Sequence, residues 1–114
     1  MTRIYKVCGS EEWAAAEVVG SYDGSADDRR DGFVHLSTAS QLAGTLSRHF
    51  AGRDDLLLVA LDSEALGNAL QWEPSRGGDL FPHLYSALPT NAALWIKPLP
   101  CDPRGSHLIP PEAQ

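Results

Sequence analysis

Two histidines of this chain sit inside apolar, strand-like stretches: His35 in "GFVHLST" (Gly32 to Thr38) and His83 in "FPHLY" (Phe81 to Tyr85). Side chains alternate along an extended segment, so Phe33 and His35 share one face while Val34 and Leu36 take the other. The imidazole then lies off the core, beside Ser37 and Thr38 at the start of a following helix. Hydroxyls and free amides at a helix N-terminus suit an anionic or multiply oxygenated ligand, such as a sugar or a phosphate. A plainer arrangement, with His35 partly buried and Thr38 only capping, uses the same residues.

The second histidine invites the same treatment. If "FPHLY" is extended, His83 and Tyr85 share a face. Both donate and accept hydrogen bonds, and Tyr85 adds a flat ring that can stack on a base or on nicotinamide. In the alternative, Phe81, Leu84 and Tyr85 merely anchor a proline-rich loop. Just upstream, "WEPSRGGD" (Trp72 to Asp79) supplies Glu73, a general base or ribose-binding carboxylate, and Arg76, whose guanidinium forks a phosphate. Gly77 and Gly78 let backbone approach a ligand closely, although the same residues make a good surface turn. The candidate site is one cleft with two walls, His35, Ser37 and Thr38 facing Glu73, Arg76, His83 and Tyr85.

Other chemistries fit less well. No HxxxH, HxH or CxxC pair is present, so no metal ligands are assigned and a zinc-dependent hydrolase is the least favoured reading. Ser37 and Ser86 lack the nucleophile-elbow pattern of a serine hydrolase.

The elements that must position these residues follow from composition and pattern. The 114 residues suffice for a single domain with one modest core over about 3–100, followed by a proline-rich segment over 101–114. Nine basic residues against fifteen acidic ones, a net charge of −6, exclude general nucleic-acid binding, which draws on clustered Lys and Arg. No apolar run reaches the roughly 18 residues of a membrane span, and "MTRIYKVCGS" has no signal-peptide core. Cys8 and Cys101, far apart and without metal-type spacing, read as reduced thiols, and a cytoplasmic location is expected.

"RIYKVC" (Arg3 to Cys8) alternates as a first strand, and Ser10 with Glu11 and Glu12 opens a helix that ends at Gly20. The polar run from Ser21 to Asp31 reads as a loop. "GFVHL" is a second strand, and Thr38 with Gln41 predicts a helix from about Ala39 to Phe50. "DLLLVALD" (Asp55 to Asp62) has the continuous apolar character of a central strand. Leu70 to Glu73 reads as a short strand and residues 74–89 as largely loop. "ALWIKPL" (Ala93 to Leu99) closes the sheet at an edge. The class is α+β, a small split mixed or antiparallel sheet with two or three short helices.

The motifs "GFVHLSTASQL", "DLLLVALD" and "LQWEPSRGGDLFPHLYSALP", with "RIYKV" and Trp13, resemble a bacterial domain-of-unknown-function family, number 952, over about Arg3 to Pro100. That family is distantly similar to the ADP-ribosyltransferase superfamily, whose split sheet holds NAD in a cleft. The resemblance implies NAD as a possible substrate, no further cofactor, and a transferase or hydrolase activity. It implies an early-strand histidine (His35) that binds ribose, an aromatic (Tyr85) against nicotinamide and a carboxylate (Glu73) beside the ribose or nucleophile, with His83 sharing the polar work. The order differs from the superfamily's, since Glu73 precedes Tyr85. Its tRNA phosphotransferase branch uses several basic residues; Arg76 and the Arg29–Arg30 pair are few, which speaks against an RNA substrate. A non-catalytic small-molecule-binding or interaction domain is the main alternative.

Overall fold

The computed structural model describes residues 2–114, with Arg76 described by its backbone alone. Nine strands and three α-helices follow in the order β1 (Arg3–Gly9), α1 (Ser10–Val19), β2 (Ser21–Tyr22), α2 (Ala26–Asp31), β3 (Val34–His35), β4 (Ser37–Thr38), α3 (Leu42–His49), β5 (Leu56–Asp62), β6 (Leu70–Pro74), β7 (Leu80–Leu84), β8 (Leu88–Pro89) and β9 (Trp95–Pro98). They form a four-stranded sheet β4-β1-β5-β9, a three-stranded sheet β3-β7-β6 and the ribbon β2-β8. Every strand pairing described is antiparallel. The α+β class is the one the sequence implies. Among the described residues no helix is long and apolar enough to cross a membrane.

The continuous apolar run of β5 has a direct cause. Val59 and Leu61 face one core cluster with Ile4, Cys8, Trp13, Val34, Leu36 and Leu84. Leu58 and Ala60 face the opposite cluster with Tyr5, Val7 and the α3 residues Leu42 and Leu46. A strand covered on both faces has no position left for a polar residue. The last residues complete the second cluster, where Ala113 is buried and Ile109 packs against it.

Three local features depart from the sequence expectation, and each bears on the cleft. The stretch expected as a loop contains α2, started by Ser25, whose Oγ accepts the Asp28 N–H. The expected single strand "GFVHL" breaks at Leu36: His35 pairs with His83 in one sheet, whereas Ser37 pairs with Tyr5 in another. The expected helix from Ala39 divides into a 3-10 turn (Ala39–Gln41) and α3.

Most of the expected loop 74–89 is also ordered. Its centre is β7, the middle strand of its sheet, despite Pro82. In an antiparallel strand the N and C=O of one residue point to the same side. The Pro82 carbonyl accepts the Leu36 N–H at 3.1 Å, so its missing N–H lies on the β3 side. The β3 ladder has already ended there, at His35↔His83, so the proline breaks no strand–strand bond.

Candidate functional site

The register of β3 against β7 sets the centre of the site. His35 and His83 are direct partners across the two strands, and their ring centroids lie 5.8 Å apart. Phe33 shares their face as alternation requires. It stacks on His83 at 4.0 Å and contacts His35 at 4.5 Å. The two histidine motifs therefore line one cleft.

Each imidazole is held by a carboxylate at Nδ1. His83 Nδ1 lies 2.8 Å from Glu73 Oε1, and the Tyr85 hydroxyl donates to that same oxygen at 2.6 Å. Glu73 is paired with Phe81, so His83 is its diagonal neighbour across β6 and β7, within reach of a long side chain. The hydrogen bonds from Tyr85 and His83 hold the Glu73 carboxyl below its ordinary value, and the Glu73 carboxylate raises the Tyr85 phenol.

On the other strand, His35 Nδ1 lies 2.6 Å from Asp28 Oδ1, which also accepts the His35 backbone N–H at 3.1 Å. Ring and backbone are thus fixed by one oxygen. Asp28 Oδ2 accepts from Lys6 Nζ at 2.8 Å and from the Ser25 N–H at 2.9 Å. Lys6 and Asp28 are both buried, at 4% and 2% exposure. Burial, the largest single influence, works to raise the Asp28 carboxyl. The bond from His35, the charge and bond of Lys6 and the Ser25 amide outweigh it together and hold the group far below the usual carboxylate range. The outer nitrogen, His35 Nε2, lies 3.0 Å from Asp31 Oδ2.

A cavity of about 240 Å³ opens where the two larger sheets meet, bordered by Lys6, Asp28, Asp31, His35, Ser37 and His83 among others. It exists because β4 pairs with β1 only at Ile4 and Tyr5, which leaves the next stretch of β1 facing the space.

The seven residues singled out in the sequence fall into different places. His35, Ser37 and His83 border the cavity. Glu73 and Tyr85 do not; Glu73 reaches the cavity only through its bond to His83, and Tyr85 instead borders a separate depression of about 210 Å³ that Phe33 also lines. Ser37 Oγ is within 2.9 Å of Thr45 Oγ1 rather than at a helix N-terminus. Thr38 caps the 3-10 turn, and its N–H is taken by the Gln41 side chain at 3.0 Å, the plainer of its two readings. Arg76 lies in a 3-10 turn with Gly77 and Gly78, and its side chain falls outside the described residues.

The sequence reading missed Lys6, Asp28 and Asp31. One signal was present for Asp28, the Ser25-x-x-Asp28 capping pattern that starts α2. A second was Lys6 itself, which alternation puts on the same strand face as Ile4 and Cys8. Among the described residues, no group of three or more His, Cys, Asp or Glu is arranged to hold a metal ion.

The family described as Protein of unknown function (DUF952) matches residues 7–96, a span that contains both histidine motifs and Glu73. The chain belongs to this family. Among solved structures, the DUF952 chain is similar to the crystal structure of protein CC0527 from Caulobacter crescentus, at 42% identity and a TM-score of 0.91 over 94% of each chain. The solution NMR structure of CC0527 gives 43% identity and a TM-score of 0.84, covering 93% of this chain and 91% of that one. No curated protein matches the DUF952 chain. These comparisons carry the family and the fold and do not extend to an ADP-ribosyltransferase likeness.

Proposed function

We propose that this cleft binds NAD or an ADP-ribose-like nucleotide and, with NAD, breaks the nicotinamide–ribose bond, as a transferase or hydrolase. The observation that carries the reading is the convergence of His35, His83, Tyr85 and Glu73 on one sheet face, with a single carboxylate oxygen collecting two of them.

Cleavage of that bond passes through an oxocarbenium-like state, so the site must orient the ribose and favour developing positive charge. His35 suits the first task. Its Nε2 is the nitrogen a ribose hydroxyl reaches by displacing Asp31, while Asp28 keeps the ring in place. The carboxylate of Asp31, on the cavity wall, suits the second, and it also favours a cationic nicotinamide ring. Small-molecule pockets that engulf a drug-sized ligand run to about 300–1,000 Å³. A cavity of about 240 Å³ therefore takes the ribose end and leaves the rest of a dinucleotide outside.

The reading is tested by NMR titration with NAD, ADP-ribose and nicotinamide, following the histidine ring signals. Selective shifts of His35 and His83, lost in a folded His35→Ala variant, are expected. Unchanged spectra at millimolar ligand would overturn it, and shifts without nicotinamide release would leave a binding module.

A further inference from the structure

We propose that His83, rather than Glu73, takes the proton from the acceptor, and that the acceptor is water or another small hydroxyl compound. The proposal deepens the reading of the cleft as a site of nicotinamide–ribose cleavage and rests on it.

Geometry separates the two candidates. His83 borders the cavity and Glu73 does not. Glu73 Oε1 already accepts from Tyr85 and His83, and a carboxylate so engaged is a weak base at neutral pH. With Nδ1 donating to Glu73, the lone pair of His83 sits on Nε2, which has no hydrogen-bond partner among the described residues. Phe33, stacked at 4.0 Å, fixes the plane of the ring. A base oriented by a third group is the arrangement general-base chemistry needs.

The presence of a base narrows the acceptor. A carboxylate attacks without losing a proton, whereas a hydroxyl must give one up. His83 is only 6% exposed, so the acceptor has to enter the cavity to reach it, which favours a small molecule over a protein side chain. The net charge of −6 disfavours a polyanionic one.

The C–N bond breaks with its electron pair leaving on nicotinamide, and the water oxygen bonds to the ribose carbon as its proton passes to His83 Nε2. The imidazolium formed is steadied by Glu73 and releases the proton to solvent. NAD and water give ADP-ribose, nicotinamide and one proton.

The test measures nicotinamide and ADP-ribose from NAD with the wild-type protein, His83→Ala, His83→Gln and Glu73→Gln, with and without added imidazole and methanol. Wild type is expected to form both products, and methanol to divert part of the flux to the methyl glycoside. His83→Ala loses about 10²–10⁴ of the rate, the usual weight of a general base, and imidazole restores part of it. If His83→Ala does not fold, His83→Gln, nearly the same shape without the basic nitrogen, carries the same expectation of binding without turnover. Glu73→Gln, as a positioning variant, lowers kcat by more than about tenfold with KM for NAD unchanged. Wild-type rates in both His83 variants, or a folded His83→Ala that imidazole does not rescue, would overturn the role of His83 while NAD cleavage stands. A wild-type protein that binds NAD without releasing nicotinamide would overturn both the acceptor assignment and the cleavage reading. Absence of binding would remove the nucleotide pocket as well.

Discussion

Lys6 Nζ lies 2.8 Å from Asp28 Oδ2, with both side chains buried, and the same ammonium group donates to the His35 carbonyl at 3.1 Å. Lys6 comes from β1 of the four-stranded sheet and His35 from β3 of the three-stranded one. The pair therefore ties the two sheets together at the base of the cleft.

Removing one member strands the other. Lys6→Met leaves a buried carboxylate without its cation and is expected to cost about 3–5 kcal/mol in urea unfolding. Asp28→Leu in the Lys6→Met background is expected to cost less than the two single changes added together, because the lone charge is gone. Additive costs would mean that the pair does not couple.

Acid should expose the same network. Asp28 is held far below the ordinary carboxylate value, with burial opposed by His35, Lys6 and Ser25. A carboxyl depressed by folding contributes stability that is fully present above its unfolded value, about 4, and is lost as pH falls through the folded value. Unfolding free energy should fall steadily below about pH 4, and the fall should be shallower in Asp28→Asn. Equal acid slopes in the two proteins would contradict this.

Ser25→Ala removes the cap of α2, whose Oγ accepts the Asp28 N–H at 3.2 Å. A loss of about 1 kcal/mol is expected. The His35 amide, bonded to Asp28 Oδ1, should exchange with deuterium faster in this variant than in wild type, while the amides of β5 change less. Unchanged His35 exchange would mean that the cap does not position Asp28.

The Tyr85 phenol is raised above its ordinary value, first by its hydrogen bond to Glu73. Glu73→Gln should move one tyrosine transition in a near-ultraviolet pH titration downward, and Tyr85→Phe should abolish that transition. Phenol titration insensitive to Glu73→Gln would remove Tyr85 from the network.

Residues whose environment is set by local pattern were legible in advance. The alternation of Phe33, Val34, His35 and Leu36 assigned their faces correctly, and the unbroken apolar run of β5 marked a strand covered on both sides. Two kinds of feature were not legible. Five of the six residues of α2 are charged and the sixth is Ala26, so there is no apolar stripe, periodicity is silent and only the Ser25 cap announces the helix. Pro82 made β7 look like a loop because the end of the β3 ladder, which makes a proline harmless there, is a property of two distant segments. Lys6 and Asp28 were missed for the same reason, since a lysine on a strand does not reveal which carboxylate the fold brings to it.

The break at Leu36 has a mechanical consequence. His35 belongs to the three-stranded sheet and Ser37, two positions on, to the four-stranded one, yet both border the same cavity. A molecule gripped by the imidazole and the hydroxyl together would act as a strut between two frameworks, adding a second brace across the seam that Lys6 already spans.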